Sequence, residues 1–196
     1  MTTFLPNDAL ARFQELLERA RQTGLREPLA MTLASVGADG RVSARTVLLR
    51  AWDERGFVFY TNLNSDKAHQ LDANPQAALC FHWDVLAEQV RIEGVAELIS
   101  DDEANEYWQD RPRDSQIGAW ASRQSETLDT RETLERRVED IEAEFRGRDV
   151  PRPEFWSGYR VKPQRIEFWS NRPARLHERI VYELKDGAWS TRMLYP

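Results

Sequence analysis

The feature that most limits this fold is a run of strand-period segments joined by tight turns. Leu29–Val36 is apolar and rich in small residues, Gly37-Ala38-Asp39-Gly40 reads as a turn, and Arg41–Trp52 reads as a long second strand. Asp53–Gly56 is a second turn and Phe57–Asn62 a third strand. Strands joined by hairpin turns pair antiparallel, because a parallel pair needs a long crossover. After a short helix at Ser65–Asn74, stopped by Pro75, the pattern resumes in Ala77–Trp83 and Gln89–Ile99. It returns in Tyr159–Trp169, Glu178–Leu184 and Trp189–Leu194, the last two joined by Lys185-Asp186-Gly187. Helices fall among these hairpins without a βαβ rhythm. The first places Leu10, Phe13, Leu17 and Ala20 on one face, with Asn7 or Asp8 as its cap and Gly24 as its C′ residue. Ser100 and Glu103 form a capping box for a helix through Tyr107. Asp129 and Glu132 form a second box, ahead of Leu134, Val138, Ile141 and Phe145 on one face. About seven or eight antiparallel strands with three or four helices predict a mainly antiparallel β fold with helices, closed or split into a β-barrel. Residues 1–196 suit one domain.

Composition excludes several classes of function. The chain is 41% hydrophobic and 31% charged, enough apolar material for a core and too much for disorder. Lys+Arg 27 against Asp+Glu 33 gives −6. That balance disfavours a general nucleic-acid binder but allows a local basic pocket for one or two phosphates. Cys80 is the sole cysteine, so an internal disulfide and a thiolate zinc cluster are excluded. His69, His82 and His177 are too scattered for a His-x-x-x-His metal pair. No Gly-x-Gly and no Gly-x-Ser-x-Gly occurs, so dinucleotide loops and nucleophile elbows are absent from the sequence. The start, MTTFLPNDALARF, has no basic region followed by an apolar stretch, and no apolar run approaches a membrane span. The expectation is a cytoplasmic protein without a membrane partner. Seven Trp fit stacking on a flat ligand, a subunit interface, or simply a core.

Cations placed on strands and loops stand out. Arg45-Thr46-Val47-Leu48-Leu49-Arg50 has an arginine at each end, on opposite faces if the strand is regular. These are either exposed edge charges or ligand contacts. Ser65-Asp66-Lys67 opens a helix, either as a plain N-cap or as an anion site. Arg111-Pro112-Arg113-Asp114-Ser115-Gln116-Ile117-Gly118-Ala119-Trp120 reads as a polar binding loop or as the cap of a short helix at Asp114 or Ser115. In Arg175-Leu176-His177-Glu178-Arg179, strand alternation would put Arg175, His177 and Arg179 on one face and Leu176 toward the core. Like charges on one face repel unless an anion or a π-system lies there, so this face is read as functional.

These segments, in this order, resemble the pyridoxamine/pyridoxine 5′-phosphate oxidase family. The most specific matches are the segment 111–120, Gln124-Ser125, Ile166-Glu167-Phe168-Trp169 and Arg175-Leu176-His177-Glu178-Arg179. Phe59-Tyr60-Thr61-Asn62-Leu63 and Lys67-Ala68-His69-Gln70 support them. The resemblance runs from about residue 7 to Pro196. It implies an FMN-binding split β-barrel and a homodimer with FMN at the subunit interface. The implied reaction is oxidation of pyridoxamine or pyridoxine 5′-phosphate by O2 to pyridoxal 5′-phosphate with H2O2 release. A related split-barrel oxidase of the phenazine type and a non-catalytic flavin or pyridoxal-phosphate binder are the rival readings.

Carried over position by position, the resemblance implies that Arg45 and Lys67, with Gln124 and Ser125, hold the FMN phosphate. A phosphate near −2 suits a forked guanidinium, an ammonium and hydroxyl donors. Tyr60, Thr61 and the backbone of Arg45, Thr46, Val47, Leu48, Leu49 and Arg50 would line the ribityl and ring. Gln89, Trp169 and Arg179 would contact the isoalloxazine. Arg50, Tyr107, Arg111 and Ser115 would take the substrate phosphate, with Arg175, Leu176 and His177 over the pyridine ring, Arg175 and His177 as catalytic residues. Two positions depart from the family pattern: Arg50 stands where lysine is usual, and Asp66 precedes Lys67 where arginine is usual.

Overall fold

The structure, a computed structural model, describes residues 4–196. The first three residues of the expected 1–196 domain, and of the segment read for a leader, lie outside them. Helix α1 (Asn7–Arg21) leads into strands β1 (Ala30–Val36), β2 (Val42–Leu48), β3 (Ala51–Asp53) and β4 (Gly56–Asn62). Helix α2 (Asp66–Ala73), strands β5 (Gln76–Trp83) and β6 (Glu88–Leu98), and helices α3 (Asp101–Gln109), α4 (Arg113–Ala121) and α5 (Arg131–Glu144) follow. Strands β7 (Trp156–Ser170), β8 (Glu178–Lys185) and β9 (Ala188–Met193) complete the order. Every strand pairing is antiparallel. The sheet runs β2-β1-β5-β6-β7-β4-β3, with β8 on β7 and β9 on β8. It is a split barrel with helices added, as the hairpin pattern predicts.

Strand β7 organises the molecule. Its first half pairs with β4, from Asn62↔Trp156 to Phe57↔Val161. Its second half pairs with β8, from Arg165↔Glu183 to Ser170↔Glu178. Opposite the changeover, the register with β6 shifts between Glu93 and Gly94, leaving Gln164 as the extra residue of a bulge. Gly94 is required there: a Cβ would lie 2.0 Å from the Lys162 carbonyl oxygen. Phe13 of α1 covers the barrel, packing on Phe57 at 4.9 Å and Phe81 at 5.3 Å between ring centroids. Both rings and Phe13 itself are fully buried.

Several expectations need correction. The strand expected at Arg41–Trp52 is broken after Leu48. The Leu49 N–H turns to the Leu29 carbonyl and the Arg50 N–H to Val58, so the chain leaves β1 and joins β4. Pro6, not Asn7 or Asp8, precedes α1, and no side chain caps it. Gly24 lies beyond the expected C′ position, two residues after the C-cap Gln22, at φ 78°. Thr130, not Asp129, caps α5, its hydroxyl accepting from the Thr133 N–H. Phe145 is buried, yet Val138 on the same expected face is exposed.

A charged cluster ties β3, the turn that follows it, α3 and β7 together. Arg160 is 5% exposed and donates to Asp53 at 2.8 Å and Glu103 at 2.7 Å. Arg55 reaches the same pair at 2.6 and 3.1 Å. Burial pushes both carboxyls up, but hydrogen bonds and the charges of Arg55 and Arg160 outweigh it. Asp53 lies below its ordinary 3.8 and Glu103, also held by Ser100, below its ordinary 4.5. A depressed folded-state pKa adds stability above the ordinary value and loses it as pH falls through the folded one. The melting temperature should therefore hold down to about pH 4.5 and fall below it. Glu103→Gln should lower the melting temperature at pH 7 and flatten that acid limb; an unchanged limb would count against the cluster.

Candidate functional site

The ends of β2 and β4, the first turn of α2 and the face of α4 enclose a cleft of about 400 Å3. Thr46 and Val47 form one wall, Tyr60, Thr61 and Lys67 another, and Arg111, Ser115, Gln124 and Trp156 the rest. The segment 111–120 is mostly helix rather than loop, beginning at Arg113 behind Pro112. Proline fits the turn that precedes a helix, because it needs no N–H partner. The helix turns Ser115 and Gly118 into the cleft, and a Cβ at Gly118 would meet nothing within 4 Å.

The cleft is cationic without matching carboxylates. The Lys67 ammonium donates to Gln124 Oε1 at 2.8 Å and to the Thr61 and Ser65 hydroxyls at 3.2 Å. Arg45 lies beside it, off the cleft wall, donating to Ser35 Oγ at 2.6 Å, Gln70 Oε1 at 3.1 Å and the Leu33 carbonyl at 3.2 Å. Arg111 donates to the Ser115 carbonyl at 3.1 Å and stacks over Trp156 at 4.8 Å. Its Nε is buried with no partner. Among the described residues, none of these three cations pairs with a carboxylate, whereas Arg55, Arg160 and Arg165 do. Burial holds the pKa of each below its usual range; Arg45 adds to the effect at Lys67, and Asp66 opposes it at both Arg45 and Lys67. A buried cation without a counter-charge is costly, and a bound anion removes the cost.

Aromatic rings floor the cleft. Tyr60 stacks on Tyr107 at 4.0 Å and on Trp156 at 5.1 Å, all nearly parallel. Burial, with Tyr107 and Glu103 nearby, pushes the Tyr60 phenol up to about 12, so it stays a neutral donor. Ser125 stands at φ 76° and its hydroxyl accepts from the Asp66 N–H at 3.2 Å, at the start of α2. Trp156 is absent from the sequence-predicted site because β7 begins three residues before the expected Tyr159; only its place among aromatic residues hinted at it. Leu49 is wholly buried in the core, so its side chain faces away from any ligand. Leu48 ends β2 half-buried, and Arg50 is exposed.

The remaining predicted residues gather elsewhere. Gln89, Trp169 and Arg179 stand in register across β6, β7 and β8. The His177 ring lies 4.6 Å from Trp169, and its Nδ1 accepts from the Arg172 N–H at 3.3 Å. Arg175, His177 and Arg179 do not share a strand face. Pro173–Arg175 is a 3₁₀ turn, Ala174 and Arg175 sit at φ 57° and 62°, and β8 begins only at Glu178. Proline and two left-handed residues break the alternation on which the expectation rested. Leu176 is 70% exposed rather than in the core. With His177, Met193 and Tyr195 it lines a separate hollow of about 540 Å3. Trp156 and Trp169 mark the two groups on one strand, roughly 40 Å apart along it at about 3.3 Å per residue.

Residues 17–145 match the family model for pyridoxamine 5′-phosphate oxidase. Residues 156–196 match the pyridoxine 5′-phosphate oxidase C-terminal dimerisation region. The chain belongs to the pyridoxamine 5′-phosphate oxidase family. It is an enzyme of the oxidoreductase class on the split-barrel fold. A pyridoxine/pyridoxamine 5′-phosphate oxidase of Myxococcus xanthus is 56% identical over 192 residues, covering 98% of this chain and 93% of the relative. One from Xanthomonas euvesicatoria is 54% identical, covering 99% of this chain and all of the relative. The crystal structure of PhzG from Burkholderia lata, in complex with tetrahydrophenazine-1-carboxylic acid, superposes at TM-score 0.92 with 32% identity, covering 97% and 94% of the two chains. Among the described residues, no helix of this oxidase-family chain is long and apolar enough to cross a membrane.

Proposed function

We propose that this chain uses FMN to oxidise pyridoxamine or pyridoxine 5′-phosphate with O2, giving pyridoxal 5′-phosphate and H2O2. The observation that carries this reading is the trio Arg45, Lys67 and Arg111, half-buried cations without carboxylate partners among the described residues, around one aromatic-floored cleft. Two phosphates account for three such cations better than one does: Arg45 and Lys67 lie together, whereas Arg111 stands in the turn ahead of α4. Lys67, Arg45, Gln124 and Ser125 would hold the FMN phosphate, and Tyr60 and Thr61 would line the ribityl chain. When bound, the flavin supplies the hydride acceptor and the route to dioxygen. Arg111, Ser115, Tyr107 and the exposed Arg50 would hold the substrate phosphate, and so orient the ring whose C4′ carbon is oxidised.

One chain does not bring Trp169, Arg175, His177 and Arg179 to this cleft. All four fall in the segment matching the dimerisation region. In the homodimer proposed here, that segment of one subunit completes the cleft of the other, giving two equivalent sites. His177 and Arg175 would then sit over the substrate ring, with Gln89, Trp169 and Arg179 at the flavin. The likeness to PhzG favours one rival, oxidation of a fused-ring carboxylate, since Arg111 could also receive a carboxylate. Spectroscopy separates the two. The purified protein should be yellow, bleach with pyridoxamine 5′-phosphate in the absence of air, and regain colour in air. Persistent colour with both phosphorylated vitamers, and bleaching by a dihydrophenazine carboxylate, would replace this reading with the rival.

A further inference from the structure

One buried acid of the β7 motif has no part in the reaction described so far. Glu167 is 2% exposed, although it lies on the opposite face of β7 from the core residues Ile166 and Phe168. Three guanidiniums converge on it. Arg165 donates to Oε2 at 2.7 Å, and Arg91 lies 3.6 Å from the same oxygen. Arg179 donates its Nε to the other oxygen, Oε1, at 2.7 Å. Glu93 accepts from Arg91 at 2.8 Å and from Arg165 at 2.9 Å. Two carboxylates therefore face three guanidiniums, and the surplus charge lies on the set that includes Arg179.

The division of Glu167 between its two oxygens is informative. Oε2 and Glu93 already satisfy Arg91 and Arg165, so the sheet itself has no need of Oε1. That oxygen holds only Arg179. The opposite side of the same guanidinium is held too, since Nη1 donates to the Tyr195 carbonyl at 3.2 Å. Among the described residues, its Nη2 makes no hydrogen bond. A guanidinium is planar and rigid, so fixing Nε and Nη1 fixes the direction of Nη2. Arg179 is the register partner of Trp169, which pairs in turn with Gln89.

We propose that Glu167 is a positioning residue for Arg179, clamping its Nε edge against the Tyr195 carbonyl so that the free Nη2 faces the flavin. This rests on the reading that Arg179 contacts the flavin. The carboxylate also lends Arg179 a counter-charge, so the guanidinium acts as a directed hydrogen-bond donor as much as a free cation.

The test is a double-mutant cycle on the full chain stripped of flavin, reading FMN dissociation by flavin fluorescence and folding by thermal melting. Arg179→Ala and Glu167→Gln should each weaken FMN binding about tenfold, the coupling expected within one salt-bridge network. The double variant should be no weaker than Arg179→Ala alone. Losses that multiply, or a Glu167→Gln variant that binds FMN as the parent does, would overturn the positioning role. An unaffected Arg179→Ala would instead overturn the flavin contact on which the proposal stands. A purely structural Glu167 would lower the melting temperature and weaken FMN by the same factor with or without Arg179. If Glu167→Gln does not fold, Glu167→Asp, which keeps the charge but withdraws it by one methylene, carries the same comparison.

Discussion

An equal mixture of two inactive variants, allowed to exchange subunits, is expected to regain oxidase turnover. One carries Arg45→Ala with Lys67→Ala, and the other carries Arg175→Ala. The first loses two charge-assisted phosphate contacts, about 1.5–3 kcal/mol each, so FMN should bind at least about a hundredfold more weakly. The second keeps its flavin and its melting temperature, since Arg175 is exposed and pairs with no carboxylate among the described residues; it should lose turnover alone. In a mixed dimer, one site inherits both defects and the other inherits neither. Random exchange makes half the dimers mixed, so about a quarter of the parent's activity should return. A mixture no more active than its two components would mean that each chain builds its site alone, and the shared-site reading would be lost. The expectation follows from the placement of Trp156 and Trp169 toward opposite ends of β7.

Replacing Arg111 with methionine should stabilise the protein while nearly abolishing its grip on phosphorylated substrate. Arg111 is partly buried, its Nε has no partner, and no carboxylate offsets its charge among the described residues. Methionine keeps the stem and a favourable sulfur contact with Trp156 while deleting the charge. Removing an uncompensated, partly desolvated cation should gain about 1 kcal/mol, or a few degrees in melting temperature. The lost phosphate contact should raise the KM for pyridoxamine 5′-phosphate by roughly thirtyfold or more. A lower melting temperature with an unchanged KM would show that Arg111 serves the fold and not the ligand. Opposite signs in stability and affinity mark a residue kept for binding.

The strand pattern was legible because turns and alternation are local. Gly37-Ala38-Asp39-Gly40 and Asp53–Gly56 announce hairpins whatever surrounds them. The break after Leu48 was not legible, since Val47-Leu48-Leu49 is an unbroken apolar run that fits a continuous strand and only the partners change, from Leu29 to Val58. The turn at Ala174 and Arg175 was hidden for another reason: neither residue type favours a left-handed backbone, so only the neighbouring Pro173 gave warning. In the site, the residues of the cationic cleft could be named from the motifs that carry the resemblance. That Arg45, Lys67 and Arg111 lack carboxylate partners could not, because pairing depends on side chains brought together from β2, α2 and the turn ahead of α4. Nor could the separation of Trp169 and His177 from the cleft, which follows from β7 being longer and starting earlier than its apolar pattern indicated.

The bulge in β7 acts as a change of phase. Before it, the odd positions Tyr159 and Val161 face the core; after it, the even positions Ile166 and Phe168 do. Gln164 is the residue that changes the parity. Were the strand regular throughout, Glu167 and Trp169 would point into the apolar interior and Ile166 and Phe168 would point outward. The single unpaired residue lets one continuous strand serve a common core along its whole length while presenting Tyr159 inward at one end and Trp169 outward at the other. Length is therefore more tightly constrained than composition between Val161 and Ile166: substitutions there alter one contact, whereas a deletion inverts every side chain that follows.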